Sequence, residues 1–283
     1  MTVREAVARA TRELEASLVL RADGARDAVL LMMNATGTTR AAMIADPERA
    51  LTAEQARMYE GLIARRLKNE PIQYITGEQG FFGLALRVTP AVLIPRPETE
   101  HLVEAVLAEI DVSEPVRVLD VGTGSGAIAI ALASRLPRAE IVAVDISRTA
   151  LEIARENAAR YGVSGQVRLV ALDLLDGLAG EEFAFDVIVS NPPYVAEGER
   201  EGLHPQVREW EPAEALFAGV DGMDVYRRLV PQAGGALRPG GLLAMEIGQG
   251  QREAIATLLA EWGEVRFVDD LRGIARVVMA RKP

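Results

Sequence analysis

The 283-residue chain contains no cysteine. That excludes disulfides, thiolate metal sites and a cysteine nucleophile. Its only histidines are His101 and His204, so no multi-histidine metal site is expected and the metal expectation is none. Positive charge is scarce: 31 Lys and Arg face 41 Asp and Glu, a net charge of −10. Holding a nucleic-acid backbone relies on Lys and Arg, so stable nucleic acid binding is not expected. No apolar run reaches the ~18 residues of a spanning helix, and no membrane partner is expected. The N-terminus has charges at Arg4 and Glu5 and no apolar core, which does not read as a signal peptide. A cytoplasmic location is the expectation. What is present is ordinary globular material. Hydrophobic residues make up 49% of the chain and charged residues 25%, which suits packed cores in two domains.

The first seventy residues carry a helical period. Val3, Val7, Ala10, Leu14 and Leu18 recur at spacings of three and four. Ala28 to Met33 reads as a short apolar helix ending near Gly37. Thr52-Ala53-Glu54-Gln55 has the form of a capping box. The helix it opens turns Tyr59, Leu62, Ile63 and Leu67 towards a core and is expected to end at Pro71. A helical domain over residues 1–75 follows. From Gly80 the period becomes two: Phe82, Leu84, Leu86 and Val88 alternate as in a half-buried strand. A β-hairpin linker is expected over 76–95.

Residues 96–283 alternate between strand and helix. Strands are predicted at Val116–Val121, Glu140–Asp145, Val167–Leu172, Phe185–Ser190 and Leu242–Ile247. Helices are predicted at Gly126–Leu136, Thr149–Arg160 and Met223–Leu237. Such alternation implies an α/β domain with a parallel sheet buried on both faces. Two closing strands, Val265–Asp269 and Ala275–Ala280, surround Gly273, which makes the last one antiparallel.

The stretch VLDVGTGSGAIAIALA is a strand, a glycine turn and a helix. Gly122, Gly124 and Gly126 let a ligand approach the backbone. Asp145 ends the next strand about 20 residues on, where an acid can bind ribose hydroxyls. The alternative for Asp145 is a turn or a cap for the helix near Thr149. The glycine pattern is G-x-G-x-G after Asp120, not the G-x-G-x-x-G of a dinucleotide site. An acid beside the loop suits an amino group better than a pyrophosphate, which points to S-adenosylmethionine. Asp173 follows the third strand, where it either accepts from an adenine amine, with Leu174 over the ring, or caps a helix.

Asn191-Pro192-Pro193-Tyr194 ends the fourth strand, facing the same crevice. Such a tetrad suits methyl transfer to a planar nitrogen. The Asn191 side-chain oxygen and the Pro192 carbonyl can accept the two hydrogens of an amide or exocyclic amine. Proline fixes φ and so the direction of that carbonyl. Tyr194 offers a flat face to the planar group. The alternative is that two prolines merely stop a strand.

The set of motifs resembles the protein-(glutamine-N5) methyltransferases that modify peptide-chain release factors. The matching stretches are EPIQYITGEQGFFG, LIPRPETE, DVGTGSGAIAIALA, VSNPPYV, EPAEALFAG, GLLAMEIGQGQ and DLRGIARVV. The resemblance implies a class I, Rossmann-like, seven-stranded methyltransferase domain behind a small helical bundle and hairpin. It implies S-adenosylmethionine as donor and the glutamine of a release-factor Gly-Gly-Gln loop as acceptor. Gly122, Thr123, Gly124, Ser125 and Gly126 would wrap the cofactor, Asp145 would hold its ribose, and Leu174 would border the adenine. Asn191 would bind the substrate amide and neighbour the cofactor, with Pro192, Pro193 and Tyr194 completing the pocket. Arg96 and Glu100 would line the cleft or form a salt-bridged helix start. The alternative reading is an amino methyltransferase acting on adenine N6 or guanine N2 of nucleic acid, which shares the tetrad.

Overall fold

Thr2 opens the first helix by a capping box with Glu5, and α1 runs over Val3–Ala16. The helix stops at Ser17, whose backbone is extended. Leu18 therefore leaves the predicted apolar stripe and is exposed, and Leu20 takes a buried place instead. After α2 (Gly24–Thr36) and α3 (Arg40–Ala45), the predicted capping box at Thr52 and Gln55 forms and starts α4 (Ala53–Arg66). That helix ends before Pro71. The buried Arg66 guanidinium is held by Asp27 at 2.8 Å and by the Glu70 carbonyl at 3.0 Å, and Pro71 instead precedes α5 (Ile72–Thr76). Leu14, Leu31, Tyr59 and Ile63 share one core.

The computed structural model describes residues 1–178, 184–270 and 272–283. The chain divides into two compact units. The helices above form the first, Met1–Gly77, together with Leu203–Trp210. The short helix Pro205–Trp210 belongs to it, with the Trp210 indole donating to the Lys68 carbonyl at 3.2 Å. Residues from late in the sequence thus contribute a helix to the first unit.

The second unit, Glu78–Gly202 and Glu211–Pro283, begins with a hairpin, β1 (Glu78–Phe81) and β2 (Leu84–Arg87). Phe82 is not a strand residue as its period suggested. It sits in the turn with φ of 50°, its amide held by Glu100 at 2.8 Å. A 3-10 turn at Pro97–Thr99 leads into α6 (Glu100–Leu107). Then follow β3 (Val116–Val121), α7 (Ala127–Arg135), β4 (Ala139–Asp145), α8 (Arg148–Arg160), β5 (Val167–Ala171) and β6 (Phe185–Ser190). With Pro205–Trp210 as α9, the chain closes through α10 (Asp224–Ala236), β7 (Leu237–Glu246), α11 (Arg252–Leu258), β8 (Gly263–Asp269) and β9 (Ala275–Arg281).

Among the described residues the sheet has seven strands in the order β5-β4-β3-β6-β7-β9-β8. β3 to β7 are parallel, and β9 is antiparallel to both neighbours. Successive residues bury opposite faces. Val118, Val189 and Ala244 pack on one side with α6 and α7, while Leu119, Ile188 and Leu243 pack on the other with α10 and α11. Two covered faces explain why these strands read as continuous apolar runs. The hairpin is stitched to α8 by Asn157, which accepts from the Arg87 amide at 2.7 Å and donates to its carbonyl at 3.0 Å.

The order reverses beside β3. β4 and β5 lie to one side of it and β6 to the other. In open α/β sheets ligands bind outside the carboxyl ends of the strands at such a switch point. Val121 and Ser190 are register partners, so the glycine loop and Asn191 leave adjacent strand ends.

Candidate active site

A cavity of about 270 Å³ lies at those strand ends. Of the predicted residues, Gly122, Gly124, Asp145, Asp173, Leu174, Asn191 and Pro193 line it. Thr123, Ser125, Gly126, Pro192 and Tyr194 do not line it. A larger hollow of about 610 Å³ opens at the other end of the sheet, around Arg117, Glu140 and Val167 where strands begin. None of the motif residues is there, so the smaller cavity is the candidate.

Backbone hydrogen bonds shape the glycine side. The amides of Gly122 and Thr123 both donate to the Val144 carbonyl at 2.9 Å. Gly124 donates to one Asp145 oxygen at 2.8 Å, and Ser147 to the other at 2.8 Å. Asp145 is thus a clasp between the loop and the start of α8, whose N-cap is Ser147. Each carboxylate oxygen keeps lone-pair capacity for a ligand hydroxyl. Burial pushes this carboxyl above its ordinary value, against its backbone donors. Gly124 has φ of 56° and open space where a Cβ would stand. Gly126 differs: a Cβ there would lie 2.8 Å from Ile130 and 3.2 Å from Ala154, so it serves close packing of α7 on α8.

Asp120 sits under the loop, fully buried. Its Oδ2 accepts from the Thr123 hydroxyl at 2.6 Å and the Ala129 amide at 3.1 Å. Its Oδ1 is buried without a hydrogen-bond partner among the described residues. Burial pushes the carboxyl up to about 7. An orphaned buried acid beside the loop suits a cationic ligand group and opposes a phosphate. The cavity lining agrees. It carries Asp145, Asp173 and Glu214, and its one cation among the described residues, Arg228, is 2.8 Å from Asp173. Val92, Leu93, Leu172 and Val225 provide apolar walls. Acidic, apolar and nearly free of cations, the site fits a sulfonium nucleoside better than a dinucleotide.

Leu174 holds φ of 51°, a left-handed backbone that costs a non-glycine residue about 1–3 kcal/mol and tends to occur at functional sites. Asp173 is half-exposed, and one of its oxygens is already committed to Arg228.

Side chains shape the opposite wall. The Asn191 amide donates through Nδ2 to the Thr99 hydroxyl at 3.0 Å. Thr99 donates to Glu246 Oε2 at 2.6 Å, and the Tyr194 hydroxyl donates to Glu246 Oε1 at 3.3 Å. Glu246 ends β7, level with Asn191 because Ser190 pairs with Met245. It is 2% exposed, and burial pushes its carboxyl up. Burial also raises the Tyr194 hydroxyl, helped by Glu246, so it stays protonated at neutral pH. Gln251 donates to the Tyr194 carbonyl at 3.0 Å. Among the described residues nothing donates to the Asn191 oxygen or the Pro192 carbonyl.

Neither Arg96 nor Glu100 lines the cavity. Arg96 pairs with the buried Glu211 at 2.5 Å, and Glu211 also accepts from the Ile94 amide at 3.3 Å. This ties LIPRPETE to EPAEALFAG, whose Pro212, Glu214 and Ala215 line the cavity. Sequence reasoning assigned no role to Thr99, Glu246, Glu214 or Arg228. Three of them fall inside quoted stretches, Thr99 in LIPRPETE, Glu214 in EPAEALFAG and Glu246 in GLLAMEIGQGQ, but no local spacing connects them to the tetrad.

A model described as the PrmC N-terminal domain matches residues 5–77, and one described as the methyltransferase small domain matches residues 98–206. A protein of Koribacter versatilis named release factor glutamine methyltransferase is 47% identical over 100% of this chain and 99% of its own length. The chain belongs to the release factor glutamine methyltransferase family. Relatives of the same name from Moorella thermoacetica and Escherichia coli are 45% and 41% identical, over 94% and 90% of this chain and 92% and 91% of theirs. As a family member the chain is a methyltransferase. Two solved structures share its fold. The hMettl16 catalytic domain in complex with a 3′UTR hairpin has a TM-score of 0.56 at 18% identity, covering 70% of this chain and 76% of that one. A T. thermophilus 16S rRNA N2 methyltransferase in complex with AdoMet and guanosine has a TM-score of 0.55 at 22% identity, covering 73% and 50%.

Proposed function

We propose that this chain transfers a methyl group from S-adenosylmethionine to the side-chain amide nitrogen, N5, of the glutamine in the Gly-Gly-Gln loop of peptide-chain release factors. One observation carries the chemistry. Asn191 and the glycine loop share a cavity on neighbouring strand ends, with the Asn191 nitrogen tied back to Thr99. Full-length identity to release factor glutamine methyltransferases supports the substrate.

S-adenosylmethionine is the cofactor, and when bound it supplies an electrophilic methyl group on a sulfonium centre. In this reading the loop Gly122–Gly126 lies against it, with Thr123 and Ser125 contributing main chain because their side chains are buried. Asp145 takes the ribose hydroxyls, and Asp173 and Leu174 border the adenine. The substrate amide is a weak nucleophile because its lone pair is delocalised. The Asn191 oxygen and the Pro192 carbonyl accept its two hydrogens and hold the nitrogen in register with the methyl. Pro193 and Tyr194 flank the planar group. Neither Tyr194 nor Asn191 is a strong base, so orientation and fixed dipoles carry the rate enhancement.

Release factors are the macromolecular partner in this reading. A net charge of −10 disfavours stable nucleic acid binding. Among the described residues no helix is long and apolar enough to cross a membrane. The site of action is the cytoplasm, where translation ends. Residues 1–75 are assigned as the helical domain, 76–95 as the hairpin linker and 96–283 as the catalytic domain.

The test supplies methyl-labelled S-adenosylmethionine with a release factor, DNA and RNA in one reaction. Label is expected in the release factor. Label in nucleic acid alone would overturn the substrate.

A further inference from the structure

An amide has two ends of nearly the same shape, and only one of them can accept a hydrogen. Something must therefore choose which end of Asn191 faces the substrate. We propose that Thr99 and Glu246 are positioning residues that make this choice by fixing the direction of the hydrogen bonds behind Asn191 and Tyr194. The inference rests on the reading of Asn191 given above.

The chain of bonds has one consistent direction when Glu246 is ionised. A carboxylate only accepts. Thr99 must spend its single hydrogen on Glu246 Oε2, 2.6 Å away. Its oxygen can then only accept from Asn191, 3.0 Å away, so Asn191 must present its NH₂ to Thr99. The Asn191 oxygen is left for the substrate amide. The same carboxylate takes the Tyr194 hydroxyl hydrogen at 3.3 Å, which fixes the ring.

Protonation of Glu246 permits the opposite direction. The acid proton on Oε2 is donated to Thr99, the Thr99 hydrogen turns to Asn191, and Asn191 must offer its oxygen to Thr99. Its NH₂ then faces a substrate nitrogen whose hydrogens it cannot accept. The groups around Glu246 set how readily this happens. Glu98, on the Thr99 turn, opposes its ionisation, and Arg276 of β9 favours it. Tyr226 of α10 donates to the Glu246 main-chain carbonyl at 2.8 Å. Burial is the largest influence and raises the carboxyl, so protonation falls above the ordinary glutamate range.

The experiment measures kcat, KM for the release factor and S-adenosylmethionine affinity across pH for wild type, Thr99→Val, Thr99→Ser, Glu246→Gln and Asn191→Ala. Thr99→Val keeps the shape without the relay and is expected to lower kcat by about 10–100-fold, with KM and cofactor affinity within several-fold. Thr99→Ser restores the hydroxyl and most of kcat. Wild-type kcat falls on acidification, and Glu246→Gln lowers kcat and abolishes that limb. A wild-type kcat that stays flat on acidification while the fold persists overturns the inference, whatever the variants do. Wild-type kcat in Thr99→Val beside an inactive Asn191→Ala also overturns it and leaves the functional reading standing. An active Asn191→Ala removes the functional reading itself.

Discussion

The loop Gly122–Gly126 is held by its own strand and the βα unit beside it, through the Val144 carbonyl, the Asp120 and Asp145 carboxylates and the Asn157 amide, whereas Asn191 and Tyr194 are held by side chains from distant parts of the chain. On the glycine side, Val144 and Asp145 fix the turn from the neighbouring strand. On the tetrad side, Thr99 comes from before α6, Glu246 from the end of β7, and Gln251 from before α11. The first wall is a local product of a βα turn and its neighbour. The second exists only once the whole sheet has assembled. Each wall should fail in its own way: damage to the first weakens cofactor binding, and damage to the second lowers turnover.

The largest effect expected is on the second wall. Asn191→Ala should lower kcat by about 10²–10³-fold, the scale for losing one preorganised polar contact to the reacting group. Cofactor affinity, read by calorimetry, should stay within several-fold. Asp145→Ala should do the reverse. It removes hydrogen bonds to a charged group, worth about 1.5–3 kcal/mol, and should weaken S-adenosylmethionine binding about 10–150-fold with kcat largely kept at saturation. If both variants lost cofactor affinity equally, the two walls would not be separable.

Gly222→Ala probes the tetrad from behind. Gly222 has φ of 74°, and a Cβ there would run into the Tyr194 carbonyl oxygen. Forcing that contact should cost about 1–3 kcal/mol of stability, read from the denaturant midpoint, and lower kcat with little change in cofactor affinity.

The glycine side carries a pH signature of its own. Burial holds the Asp120 carboxyl at about 7, above an unfolded value of about 3.9. The folded state therefore binds the proton more tightly. This contribution to stability is fully present below about pH 4 and is lost as pH rises to about 7. Asp120→Asn should flatten the stability profile across that window. The smallest effect is expected at Asp173. Its pairing with Arg228 is half-exposed on both sides, and such pairs are worth about 0–1 kcal/mol. Arg228→Ala should change cofactor affinity by no more than several-fold.

The two walls were unequally legible in the sequence. The glycine turn, Asp145 and the tetrad are contiguous motifs at strand ends, so spacing alone placed them in one crevice. The seven-stranded sheet was legible because both its faces are covered, which makes each strand a continuous apolar run. Thr99 and Glu246 were not legible as a pair. They meet across 147 positions, through strand order and not through any period. Smaller departures have local causes. Leu18 kept the helical spacing, but the backbone had already turned extended at Ser17. Phe82 kept the strand alternation, but it occupies the hairpin turn. The helix at Pro205–Trp210 joined the first unit from deep within the methyltransferase sequence, which no local composition signals. The pairing of Asp173 with Arg228 was not legible either, because Arg228 comes from α10, 55 positions away.

The most direct test of the central claim is to locate the transferred methyl group atom by atom. A release factor is incubated with this chain and S-adenosylmethionine, digested, and sequenced by tandem mass spectrometry. The account predicts one added methyl on the side-chain nitrogen of the Gly-Gly-Gln glutamine, absent when Asn191→Ala replaces the wild type. A methyl on another residue or a main-chain atom, or an unmodified release factor beside methylated RNA or DNA, would contradict it.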